Sequence, residues 1–230
     1  VVPLARRYRP DAITLDIGLP DMDGFALLDL LKRNPDTRHI PIHVISGVDD
    51  TALSLNIGAY GVSGKPVERE TILETLDKVK DFGKRPKRLL AIEPPARKGA
   101  LSSLLGEGDV ETLSVSKPKD VTRALSRGDF DCIILDLADA EDAPKPDVIE
   151  ALRASETPII GYLPEPNLAL TQTLARLDRL RLVQTHAQLQ DDAALFLHRS
   201  LENLTEEGRA AVQQLRRCDP QLMGRKVVVI

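Results

Sequence analysis

Short apolar runs that close on an acid or a hydroxyl alternate along this chain with stretches of helical periodicity. Residues 12–15 are apolar and close on Asp16. Residues 42–45 are apolar and close on Ser46, and a third such run lies near residues 60–63, just before Lys65-Pro66. Between and after them, residues 25–32, about 50–57 and 68–82 carry the spacing of amphipathic helices. Strands that alternate with helices predict an α/β fold with a doubly wound parallel sheet. In such sheets the chemistry sits in the crevice beyond the carboxyl ends of the strands. Asp16, Ser46 and Lys65 are all predicted to lie at that end.

The alternation then restarts. After the basic run Lys84-Arg85-Pro86-Lys87-Arg88, read as a solvated linker, residues 88–93 form an apolar run that closes on Glu93. Residues 96–105 suit a helix, 110–113 a strand and 121–126 a helix. Residues 130–136 echo the run into Asp16 and close on Asp136. Residues 158–162 and 181–183 suit two further strands. A repeat of this length predicts a second unit of the same architecture.

The chemistry open to the first unit follows from its residue types. A carboxylate attacks a phosphoryl group and forms an acyl phosphate. The charge on the transferring group calls for a lysine and a divalent cation. A hydroxyl can bond the new phosphoryl oxygens. Singly, each residue has an ordinary role: Asp16 as a helix cap, Ser46 as a strand-end hydroxyl, Lys65 as a solvated cation. Together, Asp16, Leu19-Pro20-x-x-Asp23-Gly24, Ser46 after residues 41–45, Gly58-Ala59 and Lys65-Pro66 resemble the receiver domain of two-component signalling. The resemblance implies that Asp16 is the phosphoacceptor, Ser46 the switch hydroxyl and Lys65 the phosphate-pairing lysine, with a cis bond before Pro66. It also implies Mg2+ held by Asp16 and the carbonyl of Gly18, and a histidine kinase as phosphodonor.

The second unit departs from that pattern where chemistry is expected. Asp136 matches the acceptor and Glu93 the first metal acid, but Pro94 stands at the second. Leu163 falls at the switch position, and no lysine occurs between Lys145 and Lys226. Such a copy is read as a pseudo-receiver that acts in packing, dimer contacts or spacing. Residues 205–217 suit a polar helix that starts at Thr205-Glu206-Glu207. Residues 224–230, Gly-Arg-Lys-Val-Val-Val-Ile, read as the first strand of a further receiver. With residues 37–46 and 194–199, they resemble the receiver array of multi-receiver hybrid sensor histidine kinases. The expected layout is two flavodoxin-like receiver domains, the first truncated at its N-terminus. Residues 1–83 form that receiver, 84–87 a linker, 88–199 the degenerate receiver, 200–224 a helical linker and 225–230 the further strand. Without its two leading metal acids the first receiver alone is expected to bind Mg2+ weakly. The final strand is expected to dock beside residues 12–15.

Composition narrows the function classes. The net charge of −4 argues against a nucleic-acid surface. Two cysteines, Cys132 and Cys218, make no disulfide framework and suit a reducing, bacterial cytoplasm. No apolar run is long enough to span a membrane. The remaining partners are the kinase, neighbouring receivers and a second copy in a homodimer. An inert structural scaffold is the alternative to a phosphoryl acceptor. A nucleotide-binding enzyme would need a glycine-rich loop after its first strand, and Gly106-Glu107-Gly108 instead follows a helix.

Overall fold

The alternating runs form two parallel sheets. A computed structural model describes residues 1–20, 22–47, 51–105, 108–139 and 143–217. The first unit comprises α1 (Val2–Tyr8), β1 (Ile13–Asp16), α2 (Gly24–Arg33), β2 (Ile42–Ser46), α3 (Thr51–Ile57), β3 (Gly61–Gly64) and α4 (Arg69–Lys84). Its sheet runs β1-β2-β3, all parallel. The second unit comprises β4 (Lys87–Ile92), α5 (Ala100–Ser103), β5 (Val110–Val115), α6 (Pro118–Arg127), β6 (Cys132–Asp136), α7 (Pro146–Ala154), β7 (Ile159–Tyr162), α8 (Leu168–Leu174), β8 (Leu180–Val183) and α9 (His186–Phe196). A turn of 3-10 helix at Leu201–Asn203 and α10 (Glu206–Arg217) follow.

The second sheet runs β5-β4-β6-β7-β8. Counted from β4, this is the flavodoxin-like order 2-1-3-4-5. Every residue of β6 is buried, as in a parallel sheet covered on both faces. Successive side chains serve opposite faces. Ile133 and Leu135 join the core beneath α6, α7 and α8. Cys132 and Ile134 join the core beneath α5 and α9. Burial there pushes the Cys132 thiol far above its ordinary pKa, so it is an inert core residue. The first unit has its own core, built from Leu15, Leu27, Leu28, Leu31, Ile42 and Val44.

Two expectations require correction. The helix over residues 96–105 divides into a 3-10 turn at Pro95–Arg97 and α5. Pro94-Pro95 sets the first turn, and Gly99, at φ +88°, interrupts the backbone between the two. The basic run at 84–88 is not a solvated linker. Lys87 is buried in β4, with Nζ donating to the Phe82 carbonyl, and Arg85 pairs with Asp131. Helices α7 and α8, which the sequence reading left unassigned, supply the crossovers that parallel strands require. The expected strand at 225–230, and its docking, lie outside the described residues.

The two units meet through charged side chains. Arg38, just before β2, is fully buried and pairs with Asp191 of α9, Nη1 to Oδ1 at 2.5 Å. Its Nη2 donates to the Asp191 carbonyl at 2.9 Å. Arg216 of α10 holds the same carboxylate at 2.8 Å. Arg181 pairs with Asp192 at 2.7 Å and donates to the carbonyl of Asn56, at the end of α3, at 2.6 Å. Lys32 donates to the carbonyls of Arg38 and Ile40 and lies 3.2 Å from Nδ1 of His198. The His198 ring completes a cluster with Tyr60 and Phe82, at 5.9 and 5.6 Å between centroids.

Candidate phosphoacceptor site

Asp16 ends β1, Ser46 ends β2, and Lys65 directly follows β3. Parallel pairing sets Asp16 opposite Ile45 and Ser46 opposite Gly64, so all three reach one end of the sheet. The N–H of Lys65 donates to the Ser46 carbonyl at 2.8 Å, and the Lys65-Pro66 bond is cis. Lys65 Nζ donates to Asp16 Oδ2 at 2.6 Å. The N–H of Gly18 donates to Oδ1 at 2.8 Å. The Lys65 bond, then the Gly18 bond, hold the Asp16 carboxyl below the ordinary carboxylate range, against a smaller desolvation. Asp16 is thus held as a carboxylate with Lys65 as its counter-ion. Its side chain remains 40% exposed, and that of Lys65 42%. Ser46 is buried.

The loop between Asp16 and α2 is positioned by two residues of the Asp-Gly pair. Asp23, not Asp16, caps α2, accepting from the Phe25 N–H at 2.8 Å. Gly24 lies against backbone: a Cβ there would approach Cα of Ile17 to 2.5 Å and the Ile17 carbonyl oxygen to 2.7 Å. Any larger residue would displace the loop that follows the acceptor.

The donor set is thin for a cation. Among the described residues no group of three or more His, Cys, Asp or Glu is placed to hold a metal. Asp16 is already engaged by lysine, Asp23 is spent on its cap, and Asp21 lies outside the described residues. One carboxylate and the Gly18 carbonyl do not make the oxygen octahedron that Mg2+ demands. The described residues therefore do not by themselves fit the ion.

The equivalent crevice of the second unit is arranged differently. Glu93 accepts from the N–H groups of Gly99 and Leu101, each at 2.8 Å, and from Oγ of Ser114 at 2.6 Å. It organises the β4–α5 loop. Leu163 is part of the hydrophobic core. Asp136 is clasped by Arg97, Nε to Oδ2 at 2.9 Å and Nη2 to Oδ1 at 3.2 Å. Arg97 also bonds Asp139 through Nη1. Sequence reasoning missed Arg97. Its only signal is the first of two adjacent cations, Arg97-Lys98, in a proline-rich loop, four residues after a strand-end acid.

Comparison with known proteins agrees with the geometry. The family model "Response regulator receiver domain" matches residues 1–77. Protein PilH of Pseudomonas aeruginosa is 33% identical over 81 residues, which cover 34% of this chain and 67% of PilH. The chain belongs to the response regulator receiver family. Response regulator PleD of Caulobacter vibrioides is 41% identical over 68 residues, 28% of this chain and 15% of PleD. The chain thus spans a small part of PleD's length. A solved signal receiver domain of a DNA binding response regulator protein from Colwellia psychrerythraea 34H aligns over 35% of this chain and 68% of its own. Its identity is 25% and its TM-score 0.33. The family match lies in the first receiver. The second unit shares the parallel-sheet fold by topology.

Proposed function

We propose that residues 1–83 are the phosphoryl-accepting receiver of a two-component relay, with Asp16 as acceptor. The observation that carries this reading is the Lys65 ammonium 2.6 Å from an exposed Asp16 carboxylate. An Asp16 oxygen attacks the phosphorus of a phosphohistidine on a donor kinase. The P–O bond forms as the P–N bond breaks, and the imidazole nitrogen keeps the electron pair. Lys65 sits where it can follow the charge onto the phosphoryl oxygens. The Ser46 hydroxyl then bonds one of those oxygens and reports that the phosphate has arrived.

Residues 88–199 serve as a pseudo-receiver that packs against the first and takes no phosphate. Residues 84–87 join the two, and the sequence of 200–224 reads as a helical linker to 225–230, the first strand of a further receiver. This layout supports a parent protein of the hybrid histidine kinase type, in a bacterial cytoplasm. Mg2+ is then an expected cofactor of the first receiver in the parent protein, and a homodimer a possible assembly. Among the described residues no helix is long and apolar enough to cross a membrane.

The test is phosphate incorporation from the phosphorylated donor kinase into the full-length protein that carries these residues. Asp16→Asn should abolish incorporation within residues 1–199. The competing reading, a structural scaffold, draws on the buried Arg38–Asp191 joint and expects no incorporation at all.

A further inference from the structure

Asp136 ends a fully buried strand, as an acceptor would, yet neither of its oxygens is available. Oδ1 accepts from the Ala138 N–H at 3.1 Å and from Arg97 Nη2 at 3.2 Å. Oδ2 accepts from Arg97 Nε at 2.9 Å. The third guanidinium nitrogen is on Asp139. All three nitrogens of Arg97 are thus spent on two carboxylates. The Asp136 side chain is 1% exposed, against 40% for Asp16. A planar guanidinium grips a carboxylate bidentately and keeps its charge at every accessible pH, which a lysine on a flexible stem does not reproduce.

The loop that delivers Arg97 is itself fixed. Glu93 gathers the N–H groups of Gly99 and Leu101 and the Ser114 hydroxyl, so the segment after β4 folds back toward β6. Gly99 takes the positive φ that this return requires. Pro94 and Pro95 leave the first turn few alternatives.

We propose that Arg97 is a built-in counter-ion that occupies the second crevice and bars both a divalent cation and a phosphoryl group from Asp136. Arg97 thereby determines which of the two strand-end aspartates can react. This rests on the reading of residues 88–199 as a receiver-like unit that takes no phosphate. It adds the cause: the crevice is already occupied, besides lacking a lysine. Without Arg97, Asp136 loses both guanidinium bonds and Asp139 loses its bond to Nη1. A buried carboxylate left unpaired is costly and recruits a counter-ion.

The experiment adds Mn2+ to this chain carrying Asp16→Asn, which weakens the first site. It follows paramagnetic broadening of the backbone amides at residues 136–139. Arg97→Ala and, separately, Arg97→Gln are compared with the chain that keeps Arg97. Gln keeps much of the side-chain length without the charge, so it reports even if Ala perturbs the loop. Broadening confined to either uncharged variant, with an affinity gain of about tenfold or more, is the expected result. Equal broadening with Arg97 present overturns the proposal. So does a folded variant, shown by a dispersed amide spectrum, that remains unbroadened. Failure of the underlying reading would look different: phosphate from the donor would appear on Asp136 while Arg97 is intact.

Discussion

Lys65 and Arg97 are both cations laid on a strand-end aspartate, and they differ in what they leave open. Lys65 engages one oxygen of an exposed carboxylate, whereas Arg97 engages both oxygens of a buried one. The first arrangement can exchange its partner for a phosphoryl group, and the second is self-sufficient. A third cation, Lys87, makes a testable pH signature. Its Nζ lies 3.5 Å from the Phe82 ring centroid and bonds the Phe82 carbonyl. Burial, the largest influence, pulls its pKa from 10.5 to about 8; Asp131 and Asp109 oppose this and Arg85 adds to it. The unfolded chain therefore binds more protons than the folded one between those two values. Stability should rise with pH there, by roughly 1–2 kcal/mol from about pH 8 to pH 9.5. Denaturant unfolding across that window should show the rise, and Lys87→Met should reduce it, leaving the part due to buried Lys32, whose pKa is also lowered. Tyr60, whose pKa burial raises, works in the opposite sense at higher pH.

At the scale of elements, what the sequence made legible was local. Asp16, Ser46 and Lys65 each terminate or directly follow a short apolar run, so their convergence follows from strand order alone. The helix cap that Asp16 could supply taken singly falls instead to Asp23, one of three acids that precede α2. The joint between the units was not legible. Arg38 and Asp191 are far apart in sequence, and neither stands out by composition; only the docking of α9 against the β2 approach unites them. The joint predicts an asymmetry. Asp191→Ala leaves Arg38 buried with its charge unpaired and should cost about 3–5 kcal/mol. Arg38→Met leaves Asp191 still paired with Arg216, at 2.8 Å, and should cost markedly less. Urea unfolding of the two variants and the double variant checks this. Equal costs would remove Arg216 from the account.

At the scale of the whole molecule, two parallel-sheet units divide one chemistry. The first carries an exposed strand-end aspartate with a lysine on one of its oxygens. The second carries the same strand-end acid, closed by an arginine and tied to the first through Arg38, Arg181 and Lys32. The link through Arg181 ends on the Asn56 carbonyl, at the end of the helix that follows the Ser46 strand. This joins the second unit directly to the end of α3. The central claim is that the two aspartates are unequal. Its most direct test phosphorylates the full-length protein from its donor kinase, traps the acyl phosphate by borohydride reduction and locates the reduced residue by mass spectrometry. The account predicts modification at Asp16 and an unmodified Asp136. Modification at Asp136, with Asp16 intact, would contradict it.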